Sequence, residues 1–279
     1  MVKIAVIMTV KNEEKFIEKT LTHLQNQSLK PDQVVIINDI STDNTLKILE
    51  KFREKNGWVI KTKEKTKVKI SPIVGSLTLA SSLLKNDFDY IMVLDGDTFL
   101  ESNYIEKLIQ KFKSNLELGI AGGYLRVPNL HRYKRKFISG EWNVWGSNRI
   151  YSKKCWVELN QMIKMNAQTP NWDTEHSLRA EARGYTVKRF DDISSDAGKS
   201  GTSYKRGFNT GVREYQFGKS FPIVLIPSLV KLNPYRLAGF LSAWSKRKEK
   251  IDDPENMNKI KILYNVRFWN SVKKFLKFD

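Results

Sequence analysis

Short apolar runs alternate with stretches of helical periodicity through the first half of the chain. A run of mostly apolar or β-branched residues indicates a strand, and apolar residues that recur every three or four positions indicate a helix. This alternation is typical of a parallel or mixed sheet with helices on both faces. The predicted strands cover residues 3–10, 33–38, 58–62 and 90–94, and the predicted helices cover residues 13–25, 43–55, 73–84 and 101–112.

The pattern of strands and helices loosens after Gly119 and stops near Ser200. Because the second change is the sharper one, we expect an α/β domain over residues 1–200 and a basic, apolar, helical extension over residues 201–279. Between the two points, the sequence predicts strands at residues 121–128 and 185–190 and short helices at residues 156–166 and 174–183.

The chain of 279 residues carries a formal net charge of +18 at pH 7. Such an excess favours polyanionic partners, namely nucleic acid, an anionic membrane surface or phosphorylated substrates, without choosing among them. No run reaches the roughly 18 to 20 apolar residues of a membrane-spanning helix. The single cysteine, Cys155, excludes an internal disulfide and fits a reducing compartment. We therefore expect a cytoplasmic protein in which Cys155 is a buried, small apolar residue.

Two carboxylates separated by one glycine follow the apolar strand at residues 90–94, in the motif Asp95-Gly96-Asp97. Ligands bind at the carboxyl edge of open α/β sheets, which is where this motif is expected to lie. Two neighbouring carboxylates repel each other, and a divalent cation such as Mg²⁺ or Mn²⁺ makes them compatible and bridges to phosphates. The alternative is a plain Asp-Gly turn after a strand.

Three further acidic residues stand at predicted strand or helix ends. Asp39 and Asp43 follow the second strand; Asp43 is expected to cap the next helix, whereas Asp39 comes too early for a cap and is expected to contact a ligand. Asp173 precedes a predicted helix, where it is either an N-cap or a general base facing the sheet edge. His176 is either a metal ligand or a surface or capping histidine.

Six short motifs stand in an order that resembles family 2 glycosyltransferases, which are inverting enzymes that use nucleotide-diphosphate sugars. The resemblance covers about residues 3–190 and implies the GT-A (nucleotide-diphospho-sugar transferase) fold, a mostly parallel mixed sheet flanked by helices. No motif is specific by itself, but the ordered set is. The motifs are Thr9-Val10-Lys11-Asn12-Glu13-Glu14, Asn38-Asp39-Ile40-Ser41-Thr42-Asp43-Asn44-Thr45, Leu94-Asp95-Gly96-Asp97, Gly122-Gly123, Gly146-Ser147-Asn148 and Asp173-Thr174-Glu175.

The resemblance implies a donor site for the nucleotide-diphosphate sugar. Asp39 resembles the acidic group that contacts the base of the nucleotide, and Thr9 and Glu13 lie where the family's first loop borders the nucleotide. Asp95 and Asp97 resemble the DXD motif, with Asp95 near the ribose and both residues at the Mn²⁺ or Mg²⁺ site, where Asp97 is the metal ligand.

The resemblance also implies that Asp173 is the catalytic base. Many family members have Glu-Asp at this point, whereas this chain has Trp172-Asp173, so Trp172 is expected to reshape the acceptor pocket. Processive members often carry a Gln-x-x-Arg-Trp motif. This sequence lacks that motif, which argues against a polysaccharide synthase of that kind.

Two basic segments are candidates for binding the donor diphosphate. Lys65, Lys67 and Lys69 either neutralise the diphosphate or form a solvated face, and we take Lys69 as the candidate ligand. Arg206 and Arg213 lie in a Gly-rich segment that is either a mobile lid over the diphosphate or acceptor, or a surface loop. Arg206 is the candidate ligand there.

The apolar runs at residues 221–230 and 237–244 are too short to span a bilayer and are closed by basic residues. They are typical of helices that lie in a membrane interface, and the alternative is packing on the domain or in an oligomer contact. Peripheral contact with the cytoplasmic face of a membrane makes a lipid-linked acceptor more plausible, beside a glycan acceptor.

Two other functions compete with an inverting, metal-assisted glycosyltransferase. A sugar nucleotidyltransferase shares the α/β core but usually opens with a Gly-rich, Arg-containing loop, and residues 9–13 contain neither. A nucleic-acid-binding protein fits the net charge. However, no nucleic-acid-binding module is recognisable, and carboxylates at three separate element ends would oppose a phosphate backbone, so no nucleic-acid partner is expected.

Overall fold

The computed structural model describes residues 1–64, 72–128, 141–142, 144–163, 172–199, 204–230, 233–248, 258–263, 265–266 and 269–270. These residues fall into two compact units. The first holds the described residues up to Lys199, and the second holds those from Tyr204 onward.

In the described part of the chain, eight strands form one mixed sheet in the first unit. The strand order is β3-β2-β1-β4-β7-β6-β8-β5. The strands are β1 (Ile4–Val10), β2 (Gln33–Asn38), β3 (Val59–Thr62), β4 (Tyr90–Asp95), β5 (Thr98–Leu100), β6 (Leu118–Arg126), β7 (Asn148–Ser152) and β8 (Thr186–Ala197).

The half of the sheet that holds β3, β2, β1 and β4 is parallel. Thr9 of β1 lies opposite Ile37 of β2 on one side and opposite Asp95 of β4 on the other. β7 then pairs antiparallel with both β4 and β6, and β8 runs parallel to β6. The carboxyl ends of β1, β2 and β4 therefore meet at one edge of the sheet, where open α/β folds bind ligands.

Helices cover both faces of this sheet, because alternate residues of the buried strands point to opposite sides. Ile4, Val6 and Met8 of β1 belong to one apolar cluster, and Ala5 and Ile7 belong to the other. The helices of this unit are α1 (Ile17–Gln25), α2 (Thr45–Asn56), α3 (Pro72–Ser82), α4 (Tyr104–Ser114), α5 (Lys153–Ile163) and α6 (Trp172–Ala182).

This architecture confirms the predicted α/β class with a mixed sheet and flanking helices. Two strands were not predicted. β5 has only three residues, too few for a period to show. β7 carries Asn148 and Arg149, polar residues that no apolar run would include, and both are buried.

The first helix begins at Ile17 rather than near residue 13, because the Glu13 carbonyl accepts from two successive backbone N–H groups, those of Phe16 and Ile17, in a preceding turn.

Glycine in β6 allows three elements to approach closely. A Cβ at Gly123 would lie 2.6 Å from the Ile193 carbonyl oxygen and 2.7 Å from the ring of Tyr104. The Tyr104 hydroxyl accepts from the Gly123 N–H at 2.6 Å and donates to the Asn148 carbonyl at 2.6 Å. This buried hydroxyl thereby ties α4 to β6 and to the start of β7, close to the predicted site.

The second unit contains α7 (Tyr204–Gln216), α8 (Phe221–Val230) and α9 (Pro234–Ser245). The Gly-rich segment at residues 201–219, predicted as a mobile lid or a surface loop, is therefore helical over most of its length. A Cβ at Gly211 would lie 1.8 Å from the Arg236 carbonyl, and one at Gly239 would lie 2.0 Å from the Phe208 carbonyl. Gly211 of α7 and Gly239 of α9 therefore serve close helix packing, and the proposal that this segment covers the donor or acceptor stays a prediction. Within the described residues, no helix has both the length and the apolar character needed to cross a membrane.

Candidate active site

Asp95 is the last residue of β4, and Gly96 and Asp97 turn the chain into β5. A Cβ at Gly96 would lie 2.9 Å from Val10 and 3.1 Å from the Glu13 side chain, so only glycine lets this turn pack against the loop after β1. The Thr20 hydroxyl donates to the Gly96 carbonyl at 2.8 Å and holds the turn in place. The fold therefore sets both aspartates beside Glu13.

Four carboxylates converge at this edge of the sheet. Burial, followed by the negative charges of Asp97, Asp173 and Glu13, raises the pKa of Asp95 to about 7. Burial also raises the pKa of Asp97 and that of Glu13. Asp173, far away in sequence, reaches this edge through the segment before β7: the Asp95 N–H donates to the Ser147 carbonyl at 3.1 Å, and a Cβ at the adjacent Gly146 would lie 3.1 Å from the Asp173 Cβ.

One cation lies within this acidic group. Lys199, two residues after the end of β8, forms an ion pair with Glu13 Oε1. Its charge lowers the pKa values of Glu13, Asp95 and Asp97, in opposition to burial. The N–H of Gly198 donates to the Asp97 carbonyl at 2.7 Å and fixes the backbone that carries Lys199. Sequence analysis did not select Lys199, because it has no partner nearby in sequence.

Asp39 lies at the β2 part of this edge, and Thr9 lies on β1, between β2 and β4. Asp39 follows β2, and its N–H donates to the Val10 carbonyl at 2.8 Å. Its carboxylate lies 3.5 Å from Lys63 Nζ and 3.8 Å from Lys11 Nζ. Since β1 lies between β2 and β4, strand spacing sets Asp39 on the order of 10 Å from Asp95. That separation suits contacts with different parts of one extended ligand.

Asp173 lies in the first turn of α6 and is held through its main chain. Its carbonyl accepts from Arg149 Nη1 at 2.9 Å and from the Ser177 hydroxyl at 3.0 Å. Its Oδ1 accepts from the Thr174 N–H at 2.8 Å. A Cβ at Gly146 would lie 3.1 Å from the Asp173 Cβ and 3.3 Å from its Oδ2. The glycine of the Gly146-Ser147-Asn148 motif therefore leaves room for this carboxylate.

Arg149 is a positioning residue that sequence analysis missed. It is fully buried, and besides Asp173 it donates from Nε to the Trp145 carbonyl at 3.1 Å and from Nη2 to the Val144 carbonyl. Its guanidinium also lies 5.4 Å from the centre of the Trp172 ring. One side chain thus joins the segment around Gly146 to the start of α6. In the sequence, the only hint of this role is that Arg149 directly follows the Gly146-Ser147-Asn148 motif.

His176 and Trp172 are both buried, which corrects the expectation for His176. His176 is neither a surface residue nor a helix cap: its Nδ1 lies 3.0 Å from the Tyr151 hydroxyl, and its ring packs edge-on against Trp172 and Trp156. Trp172 is the first residue of α6 and is 5% exposed, and its expected effect on the acceptor pocket stays a prediction. The prediction that Cys155 is buried is confirmed, and burial raises the pKa of its thiol to about 12.

The N-cap of α2 is Asn44, so the prediction that Asp43 caps this helix is off by one residue. The Asp43 carboxylate still binds the start of the helix, because it accepts from the backbone N–H groups of Thr45 and Glu14. Lys69, with Lys65 and Lys67, lies outside the residues that the structure describes. Arg206 belongs to α7 in the second unit, and its side chain is likewise outside the described part. The structure thus brings together Glu13, Asp95, Asp97 and Asp173, and it does not test Lys69 or Arg206.

The residues at this edge fit a hard divalent cation. Asp95 and Asp97 supply carboxylate oxygens, and Glu13 Oε2 is buried with no hydrogen-bond partner among the described residues. Across the same residues, no three acidic, His or Cys side chains are arranged as a complete metal site. Mg²⁺ commonly binds through one or two carboxylates plus substrate phosphates, so a pair of aspartates is a sufficient protein contribution.

Solved structures of similar fold are glycosyltransferases of GT-A type. The mannosyltransferase PcManGT from Pyrobaculum calidifontis, in complex with GDP-Man and Mn²⁺, aligns with a TM-score of 0.64 at 14% identity, over 87% of this chain and 75% of that chain. TarS 1–349 from S. aureus, in complex with UDP-GlcNAc, aligns with a TM-score of 0.55 at 17% identity, over 76% of this chain and 66% of that chain. At these identities the similarity shows the fold.

The chain belongs to glycosyl transferase family 2, since the family's model matches residues 5–170, more than half of the sequence. This match confirms the resemblance drawn from the ordered motifs. A curated relative is the poly-β-1,6-N-acetyl-D-glucosamine synthase of Staphylococcus aureus, which is 29% identical over 126 residues. The match covers 45% of this chain and 29% of the relative. The enzyme of the same name from Staphylococcus epidermidis is 27% identical over the same length.

The buried imidazole of His176 predicts an acid-sensitive fold. Burial, followed by the charges of Arg149 and Arg179, lowers its pKa well below 6.5. Tyr151 from β7 and Trp156 from α5 also face the ring. Below about pH 6.5 the unfolded chain binds a proton on His176 that the folded chain does not, so stability contributed by the neutral ring is lost as pH falls.

We expect His176→Phe to weaken this pH dependence. The test is the urea midpoint of unfolding of the wild type and the variant between pH 7.5 and 5. The variant should lose stability at pH 7.5, where the Tyr151 hydrogen bond is missing, but should lose less on acidification than the wild type. Parallel pH profiles for the two proteins would contradict the assignment.

Proposed function

We propose that this protein transfers a sugar from a nucleotide-diphosphate donor to an acceptor hydroxyl with inversion at the anomeric carbon. The observation that carries the proposal is the convergence of Glu13, Asp95 and Asp97 with Asp173 at the carboxyl edge of a GT-A-type sheet. One group of carboxylates suits a cation and a diphosphate, and a separate carboxylate suits an acceptor proton. Both chemical requirements of glycosyl transfer are therefore present at one location.

The donor lies along the ends of β2, β1 and β4 in this proposal. Asp39 accepts from the nucleobase, Thr9 and Glu13 border the nucleoside, and Asp95 approaches the ribose. Lys11 and Lys63, which flank Asp39, supply positive charge beside the nucleotide. Arg206 and Lys69 remain candidates for the diphosphate on the basis of sequence alone. The relatives whose structures hold UDP-GlcNAc and GDP-Man support a uridine or guanosine diphosphate sugar.

Asp95 and Asp97 would hold a divalent cation, Mn²⁺ or Mg²⁺, together with the donor phosphates. When bound, such an ion offsets the negative charge that grows on the departing diphosphate. The GDP-Man and Mn²⁺ complex of the mannosyltransferase supports this choice. The protein's own contribution is a pair of carboxylates whose geometry is set by the Gly96 turn before any ligand arrives.

Asp173 is the general base. Its carboxylate takes the proton from the acceptor hydroxyl while that oxygen forms a bond to the anomeric carbon. The bond from that carbon to the phosphate oxygen breaks on the opposite face, and its electron pair leaves with the nucleoside diphosphate. One displacement inverts the anomeric centre without a covalent enzyme intermediate, so no nucleophilic Cys or Ser is required. The acceptor is a glycan or a lipid-linked hydroxyl.

Incubation with a panel of nucleotide sugars tests the function directly. We expect release of the matching nucleoside diphosphate from one UDP- or GDP-sugar in the presence of Mn²⁺. EDTA should abolish the release, and added Mn²⁺ or Mg²⁺ should restore it. The products should be analysed for the configuration of the new glycosidic bond. A retained anomeric configuration, or full activity in EDTA, would overturn the corresponding part of the proposal.

Asp173→Asn should lower the rate of transfer by on the order of 10²–10⁴ while donor affinity stays near the wild-type value. The amide cannot accept the acceptor proton, but the position survives because Arg149 and Ser177 bind the main-chain carbonyl. Rates come from diphosphate release and donor affinity from calorimetry. Asp192→Asn is the matched control, since Asp192 forms a surface pair with Lys111. Wild-type turnover in Asp173→Asn would show that the base lies elsewhere.

Helix α9 supports a peripheral membrane contact as a further part of the proposal. One side of α9 packs within the second unit, and the other carries the exposed side chains of Tyr235, Leu241 and Trp244. Trp244 is 63% exposed, and residues 246–248, which are Lys, Arg and Lys, come directly after Ser245 and are exposed as well. Aromatic and aliphatic side chains beside a basic run match an anionic lipid interface.

The membrane contact predicts binding to anionic vesicles. In flotation with phosphatidylglycerol–phosphatidylcholine vesicles, the double variant Leu241→Gln with Trp244→Gln should partition at least about tenfold less than the wild type, because each side chain loses its apolar transfer energy. Leu116→Gln is the control, since Leu116 is an equally apolar, 94% exposed side chain of the first unit. Equal partitioning of all three proteins would remove the membrane contact.

A further inference from the structure

The position of Lys199 has a consequence beyond the chemistry of transfer. Its ammonium group binds Glu13 Oε1 within the acidic cluster that would hold the divalent cation. A second cation of higher charge cannot enter this cluster without strong repulsion while the ammonium remains there. The lysine and the metal ion therefore compete for the same negative potential.

The backbone beside Lys199 is fixed, whereas the side chain can leave. A Cβ at Gly198 would lie 2.7 Å from the Phe16 ring, and the Gly198 N–H is bonded to the Asp97 carbonyl. By contrast, the Lys199 side chain is 51% exposed on a flexible four-carbon stem. Movement of this half-exposed side chain alone is enough to clear the cluster.

We infer that Lys199 is a tethered counter-ion that neutralises the Glu13 and Asp97 cluster in the free protein and gives up this position when a divalent cation binds. The inference rests on the proposed function for the identity of the cation site. It predicts weak metal binding by the free protein, so that the metal ion binds effectively only together with the donor diphosphate. Lys199 is then a positioning residue that makes binding of the metal ion depend on binding of the donor diphosphate.

The test is the affinity of the free protein for Mn²⁺ alone, measured by calorimetry or by the Mn²⁺ paramagnetic resonance signal without nucleotide. Lys199→Met should bind Mn²⁺ roughly tenfold more tightly than the wild type, because one positive charge within a few ångströms of the site is removed. Lys199→Arg retains the charge and should bind as weakly as the wild type. A gain of affinity on mutation is a readout that loss of structure would not produce.

Lys111→Met is the matched control. Lys111 pairs with Asp192 at 3.1 Å, and its loss changes the net charge by the same amount away from the cluster. An unchanged or weaker affinity in Lys199→Met overturns the inference, as does an equal gain in Lys111→Met, which would reflect net charge alone. If the wild type binds Mn²⁺ and Lys199→Met binds it no better, the metal site of the proposed function stands. If neither protein binds Mn²⁺ alone, the inference fails, whereas the metal site of the proposed function fails only if Mn²⁺ also does not bind in the presence of UDP or GDP.

Discussion

Repulsion among carboxylates at the carboxyl edge of the sheet is the interaction on which the rest of the site depends. Glu13, Asp95, Asp97 and Asp173 gather where burial already disfavours negative charge, and the pKa of Asp95 rises to about 7 as a result. Positive charge offsets this repulsion. Lys199 supplies it through its ion pair with Glu13, and a divalent cation would supply it in the proposed working state.

The scaffold maintains this unfavourable arrangement through close backbone packing. Gly96 lets the Asp-Gly-Asp turn contact the loop after β1, and Gly146 leaves room for Asp173. Arg149 completes the arrangement by binding the Asp173 carbonyl at the start of α6 and the Val144 and Trp145 carbonyls beside Gly146. None of these residues needs to touch a ligand. Their effect is to remove the freedom by which the carboxylates would otherwise separate, which is how a site is preorganised for its charge.

The sequence predicted the parts of this protein in which local pattern and final position agree. Apolar runs predicted β1, β2 and β4, and the order of the motifs predicted the family. Strand β7 was not predicted, because its buried Asn148 and Arg149 are stabilised by partners distant in sequence. The local pattern of apolar and polar residues does not reveal such partners. Lys199 was not predicted as a site residue for the same reason, since its partner Glu13 is 186 residues away. His176 was misjudged because its aromatic surroundings come from three separate elements.

The way in which Asp173 is anchored bears on its chemistry. An acid or base must change its charge during the reaction, and a carboxylate held by an ion pair would lose its anchor on protonation. Arg149 donates to the main-chain carbonyl of Asp173 and thereby anchors its backbone. The carboxylate can therefore accept a proton while α6 and its first turn stay in place. Glu13 differs from Asp173 in this respect, because its carboxylate is itself paired with Lys199. Glu13 is therefore suited to stabilising positive charge rather than to accepting a proton.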